Sequence, residues 1–69
     1  MTQQESILKY LDDFGSITPM QAFSDLGITK LSTRRSEMIR HGEKIRKVPQ
    51  TSKNRYGHIV RFMRYERAV

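Results

Sequence analysis

The sequence predicts an α+β domain in which three short helices are followed by a C-terminal β-hairpin. Three observations predict it. Apolar residues recur at helical spacing up to Gly42, and each run begins at a polar capping residue. A glycine closes each run: Gly15, Gly27 and Gly42. Beyond Gly42 the chain changes to strand-like segments around one polar turn, Thr51–Gly57 (TSKNRYG). At 69 residues the chain suits one domain with one small core, and residues 1–69 are taken as that domain.

The first helix is expected from Gln3 to Asp13. Thr2 and Glu5 have the spacing of a capping box, in which each side chain bonds the other residue's backbone N–H. Ile7, Leu8, Leu11 and Phe14 form the apolar stripe, with Tyr10 at its edge. Gly15 stops the helix in the left-handed conformation. Lys9, Asp12 and Asp13 fall on the opposite side. With no His or third acid near them they read as a solvated face, not a metal site. Ser16–Ile17–Thr18 is extended, with Ile17 inward, and is long enough only to pair with the edge of a later hairpin.

Thr18 caps the second helix, Pro19 takes its first turn and Gln21 completes a capping box. Pro19, Ala22, Phe23 and Leu26 share its inner face, where Ala22 lets a neighbouring helix come close. Gly27 permits the left-handed turn of a tight helix–helix connection, and Ile28 fills the space between the helices. Thr29 is the expected cap of the third helix. There Leu31 and Met38 stack on the buried side with Ile39 on the flank. Thr33, Ser36 and Arg40 lie opposite, with Ser32 and Glu37 at the margins. Glu37 sits where it can orient Arg34 or Arg40. The wheel puts Arg35 near the Leu31–Met38 seam, its stem packed and its guanidinium at the edge. Arg34 lies on the other flank, and the wheel leaves both arginines open as phosphate ligands. Residues Thr18–Gly42 thus form a helix-turn-helix whose outer face is small, hydroxylated and basic.

From Lys44 to Thr51 the chain reads as a strand, with Pro49 marking an edge or a bulge. In the following turn Asn54 and Gly57 are suited to positive φ. The second strand, His58–Tyr65, places Val60 and Phe62 inward and Arg61 outward. Met63, Arg64 and Tyr65 break that alternation through a bulge or a twist. Glu66–Val69 is expected to be a frayed tail.

Charge divides the chain. Residues 1–29 carry −3 and residues 30–69 carry +9, for a net +6. A basic half of this kind suits a polyanion, with nucleic acid foremost. Other classes are disfavoured. The chain has no cysteine, so neither disulfides nor thiolate metal sites are expected, and no metal or cofactor is expected either. His41 and His58 have no nucleophile at a useful spacing, and no glycine-rich phosphate loop is present, so neither an enzyme nor a small-molecule substrate is expected. The N-terminus lacks the pattern of a signal peptide, and no apolar run approaches the roughly 20 residues of a membrane span, so no membrane association is expected.

Taken together, Ile7–Thr18 (ILKYLDDFGSIT), Leu26–Thr29 (LGIT), the stretch from Leu31 through Arg34 to Gly42, Asn54–Gly57 (NRYG) and Val60–Tyr65 (VRFMRY) resemble the winged helix-turn-helix superfamily. The likeness is greatest to small helix-turn-helix proteins commonly encoded by phages and prophages. It covers nearly the whole chain, with the helix-turn-helix at 18–42 and the wing hairpin at 44–65. The resemblance implies double-stranded DNA as partner, the third helix in the major groove, and the wing along the backbone or minor groove. It implies a cytoplasmic protein of a bacterial host that regulates transcription or assists recombination or excision. The contact residues expected are Thr29, Lys30, Ser32, Thr33, Arg34, Ser36 and Arg40 of the helix, and Lys53, Asn54, Arg55, Tyr56 and Arg61 of the wing. Arg35 and Ile39 depart from the pattern, which usually has an aliphatic and a polar residue there. A homodimer, or a phage or host protein as partner, fits so small a reader. The alternative is a protein-interaction module using Met20, Ile39 and Met63. RNA stacking on Phe62 and Tyr65 is the weaker reading, because core packing accounts better for Phe62.

Overall fold

Two capping boxes start the first two helices. In the protein, seen here as a computed structural model that describes residues 1–68, Glu5 N donates to Thr2 Oγ1 and Thr2 N to Glu5 Oε1, both at 3.1 Å. Gln21 N and Thr18 Oγ1 repeat the arrangement at 3.2 Å, with Thr18 N to Gln21 Oε1 at 3.0 Å. The elements that follow from these starts are α1 (Gln3–Phe14), β1 (Ser16–Ile17), α2 (Pro19–Leu26), α3 (Leu31–Arg40), β2 (Ile45–Lys53) and β3 (Ile59–Arg67). This is the expected order of three helices, a short strand and a hairpin.

The start of α3 differs from expectation. Its cap is Lys30, with no side-chain bond, and Thr29 stands outside the helix. Ile28 and Leu31 are both buried, 2% and 3% exposed. Their anchoring fixes the path between them and begins the helix at Leu31. At the other end the cap is His41, and Gly42 follows it at φ 97. Glu43 N donates to Met38 O and Gly42 N to Ile39 O, each at 3.0 Å. These are the two bonds of a Schellman ending, which needs a left-handed residue at that glycine.

The sheet is antiparallel in the order β1-β3-β2. Its β2–β3 register runs unbroken from Ile45 opposite Arg67 to Lys53 opposite Ile59. Pro49 therefore marks an edge strand, where its missing N–H costs no ladder bond, and no bulge. Both strands outrun their expected bounds. Glu66 and Arg67, expected in a frayed tail, belong to β3, and Glu66 pairs with both Ser16 and Arg46. The part of that tail at Val69 lies outside the described residues. The turn tightens because Asn54 Oδ1 accepts from the backbone N–H groups of Tyr56 and His58, both at 3.0 Å. With its side chain so used, Asn54 keeps a negative φ, and Gly57 alone in the turn adopts the left-handed conformation, at φ 80.

The core is formed by Ile7, Tyr10 and Leu11 of α1, Ile17, Ala22, Ile28, Leu31 and Met38, closed by Ile45 and Tyr65 from the hairpin. Three expectations are corrected here. Tyr10 is inside and Phe14 is 69% exposed. The Tyr10 hydroxyl donates to Asp25 Oδ2 at 2.6 Å, so the ring stays in while its polar end reaches α2. On α2 only Ala22 is fully buried, while Phe23 is 61% exposed. In β3 Tyr65 takes the inward place, and Val60 and Phe62 are 41% and 37% exposed. The register explains this: Ile17 and Tyr65 are opposite one another, which puts the odd positions of β3 on the Tyr65 face, so Arg61, expected outward, shares that face and is exposed there. The outer part of the hairpin, residues 51–63, is exposed throughout.

Candidate nucleic-acid interface

Packing through Leu31 and Met38 leaves the opposite face of α3 to solvent. Thr29, Lys30, Ser32, Thr33, Ser36 and Arg40 are all exposed. The first backbone bond of the helix is Arg34 N to Lys30 O at 3.1 Å. With no side-chain cap, the N–H groups ahead of it remain open donors at the positive end of the helix dipole. Ser36 Oγ donates to Ser32 O at 3.1 Å, so its hydroxyl oxygen is left as an acceptor. Arg34 is held back from this face. Its Nη1 lies 3.0 Å from Glu37 Oε1, which also accepts from Gln4 Nε2 of α1 at 3.3 Å. Glu37 thus orients Arg34, as its spacing suggests. Arg35 is turned inward, its guanidinium donating to the Ile45 carbonyl. Of the two roles the wheel leaves open to it, the structure has the packed one.

Lys53, Arg55, Tyr56 and Arg61 are exposed on the wing, Tyr56 by 80%. Asn54, expected beside them as a contact, shapes the tip through its side-chain carbonyl, so only its amide nitrogen is left to meet a ligand. Lys47 has no distinguishing signal in the sequence. It stands opposite Tyr65, on the sheet face shared with Ile45. The parity that puts it there comes from the register and not from any local pattern.

Ion pairing sorts the bases. At the root of the hairpin Arg46 Nε donates to Glu66 Oε1 at 2.7 Å, Arg64 lies 3.6 Å from the same carboxylate, and Arg67 lies 3.6 Å from Asp12. Arg34 has Glu37. Lys30 and Arg40 of α3, and Lys47, Lys53, Arg55 and Arg61 of the hairpin, have no carboxylate partner among the described residues. Arg34, Arg46, Arg64 and Arg67 thus have a carboxylate beside them, while among the described residues Lys30, Arg40 and the outer bases of the wing do not. Among the described residues no group of three or more His, Cys, Asp or Glu is placed to hold a metal ion. Among them, too, no helix is long and apolar enough to cross a membrane.

A family described as a winged helix-turn-helix domain matches residues 2–66. No curated protein and no solved structure matches the chain. The match runs from the cap of α1 to the penultimate residue of β3, across the helix-turn-helix and the wing alike, and the chain belongs to the winged helix-turn-helix domain family.

Proposed function

We propose that this protein binds double-stranded DNA, laying α3 in the major groove and the wing along the adjacent backbone or minor groove. The observation that carries the reading is the sorting of charge: carboxylates pair with Arg46, Arg64 and Arg67 at the root of the hairpin and with Arg34, and leave Lys30 and Arg40 at α3 and Lys53, Arg55 and Arg61 of the outer wing free among the described residues. Short side chains at Ser32, Thr33 and Ser36 let the helix backbone approach the bases; the hydroxyls of Ser32 and Thr33 serve as donors or acceptors there and that of Ser36 as an acceptor. Lys30 and the open N–H groups at the start of α3 face phosphate. Arg40 reaches phosphate or guanine. Lys53, Arg55 and Arg61 hold the backbone, with Lys47 added to them, and Tyr56 packs on sugar. A phage or prophage regulator of transcription, or an accessory factor in recombination or excision, acting in the bacterial cytoplasm, is the role its resemblance supports. One domain of this size reads a short half-site, so a dimer or tandem sites supply the remaining specificity. The test is DNA affinity against salt. Removing one phosphate-binding side chain should lower the log–log slope by about 0.9, and the reading fails if Arg40→Ala and Arg55→Ala change neither affinity nor slope.

One observation favours a second reading, that of a protein-interaction module. Pro19, Met20, Val60 and Phe62 line an open apolar groove between α2 and the wing. A purified protein that shifts no duplex at low salt, yet co-elutes with a phage or host protein, would favour that reading.

A further inference from the structure

Arg35 occupies a position where an aliphatic side chain would fill the seam beside Leu31 and Met38. Its Nη2 and Nε both donate to the Ile45 carbonyl oxygen, at 2.7 and 3.2 Å. Its guanidinium carbon lies 5.6 Å from the centre of the Tyr65 ring, within cation–π reach. Ile45 opens β2 and Tyr65 belongs to β3, so one side chain from α3 touches both strands at the root of the wing.

The carbonyl is available for a structural reason. β2 is an edge strand. Ala68 N donates to Lys44 O at 2.9 Å. Hydrogen-bonded and non-hydrogen-bonded pairs alternate along an antiparallel ladder, so Ile45 and Arg67 form a pair of the second kind and the Ile45 carbonyl points away from β3. A leucine at position 35 would pack in the seam and leave that oxygen without its donor. Besides Arg35, α3 is joined to the wing by the short connection His41–Lys44 and by the core cluster that holds Leu31 and Met38 together with Ile45 and Tyr65, the two buried side chains of the wing among the described residues.

We propose that Arg35 is the positioning residue of this domain: its fork on the Ile45 carbonyl fixes the angle between α3 and the wing, so that both meet DNA as one rigid body. The proposal rests on the DNA-binding reading above. It deepens that reading by naming what makes the helix and the wing cooperative. A wing already held in place gives up no further freedom when it docks, so its grip on DNA counts in full. A wing that swings must be ordered on binding, and that ordering offsets part of the gain.

The first measurement needs no DNA. Residual dipolar couplings of backbone amides in α3 and in β2–β3 should fit one alignment tensor in the wild type and require two in Arg35→Leu. Amide dispersion and a cooperative melt show that the variant is folded. The second measurement uses a duplex spanning a major groove and the adjacent minor groove. Arg55→Ala should weaken binding by about tenfold in the wild type and by under about threefold in the Arg35→Leu background, although residues 35 and 55 do not touch. Arg35→Lys keeps the charge without the fork and should behave as Arg35→Leu in both measurements. It also serves in its place if the leucine variant does not fold. One tensor for both elements in the variants, an Arg55→Ala effect equal in both backgrounds, or wild-type coupling retained by Arg35→Lys would each overturn the proposal. A wild type that binds no duplex would overturn the DNA reading instead, and the alignment data would still decide whether Arg35 holds the wing.

Discussion

Among the described residues, the chain up to Lys44 contributes eight of the ten buried core side chains, whereas the hairpin contributes two, Ile45 and Tyr65, both at its root. The helical half is held by burial. The wing is held by strand pairing, by Ile45 and Tyr65 at its root, by the Arg46–Glu66 ion pair and by Arg35. The same division separates the charges: up to Lys44 six bases are balanced by six acids, and from Ile45 onward seven bases accompany one acid, Glu66. A surface that must face phosphate is easiest to build on an element with little core of its own, because its side chains need not serve packing. Such an element needs an external brace, and the arginine in the helical seam supplies one.

The sharpest way to break this comparison is to truncate one residue in each half. Ile17 is fully buried and paired with Tyr65, where the two halves meet. Ile17→Ala should cost about 3 kcal/mol, the usual scale for emptying a buried aliphatic site. That is a large part of the roughly 5 kcal/mol available to a domain this small. Phe62→Ala, at a site 37% exposed on the wing, should cost about 1 kcal/mol or less. Urea denaturation compares the two, and equal effects would show that the wing carries a core of its own. The capping threonines come next in size. Thr18→Ala removes the acceptor for Gln21 N and should cost about 1 kcal/mol, read in the same titration, with no change in the salt slope of DNA binding. Lys53→Ala reverses that pattern: stability within about 0.5 kcal/mol of the wild type, and a salt slope lower by about 0.9.

The two halves also differ in how far they are legible in the sequence. Helix starts are local, and Thr2 with Glu5, and Thr18 with Gln21, specify theirs within four residues, as the bonds observed at both sites show. Gly15, Gly27 and Gly42 likewise mark stops that depend on one backbone conformation. Thr29 misleads at the start of α3 because burial of Ile28 and Leu31, a tertiary effect, overrides a local cap preference. Strand parity is never local. Val60 and Phe62 have the pattern of an inward pair, yet β1 sets Tyr65 opposite Ile17 and reverses the parity. The wing residues are legible as charge. Which of them are free is not, because Arg46 meets Glu66 across the sheet and Arg67 meets Asp12 of α1. Arg35 is identifiable as misplaced for an aliphatic seam, but its acceptor is a backbone carbonyl ten positions away, which side-chain spacing does not encode.

The smallest expected effect distinguishes the halves by pH. Tyr10 joins α1 to α2 by donating to Asp25, and that bond to a carboxylate raises the phenol's pKa above its ordinary 10.0, with burial and the negative charge of Asp25 acting in the same direction. The bond exists only while the phenol keeps its proton. The unfolded chain gives up that proton at the ordinary pKa, before the folded one does. The stabilisation is therefore complete below about pH 10 and is lost as pH rises through the folded value. Tyr10→Phe isolates the contribution, because it removes the titrating group and leaves the rest of the chain unchanged. Melting temperatures taken at pH 8 and pH 11 should fall further for the wild type than for Tyr10→Phe. Equal falls would mean that the bond between α1 and α2 adds nothing to folding and that the helical half is held together by its apolar core alone.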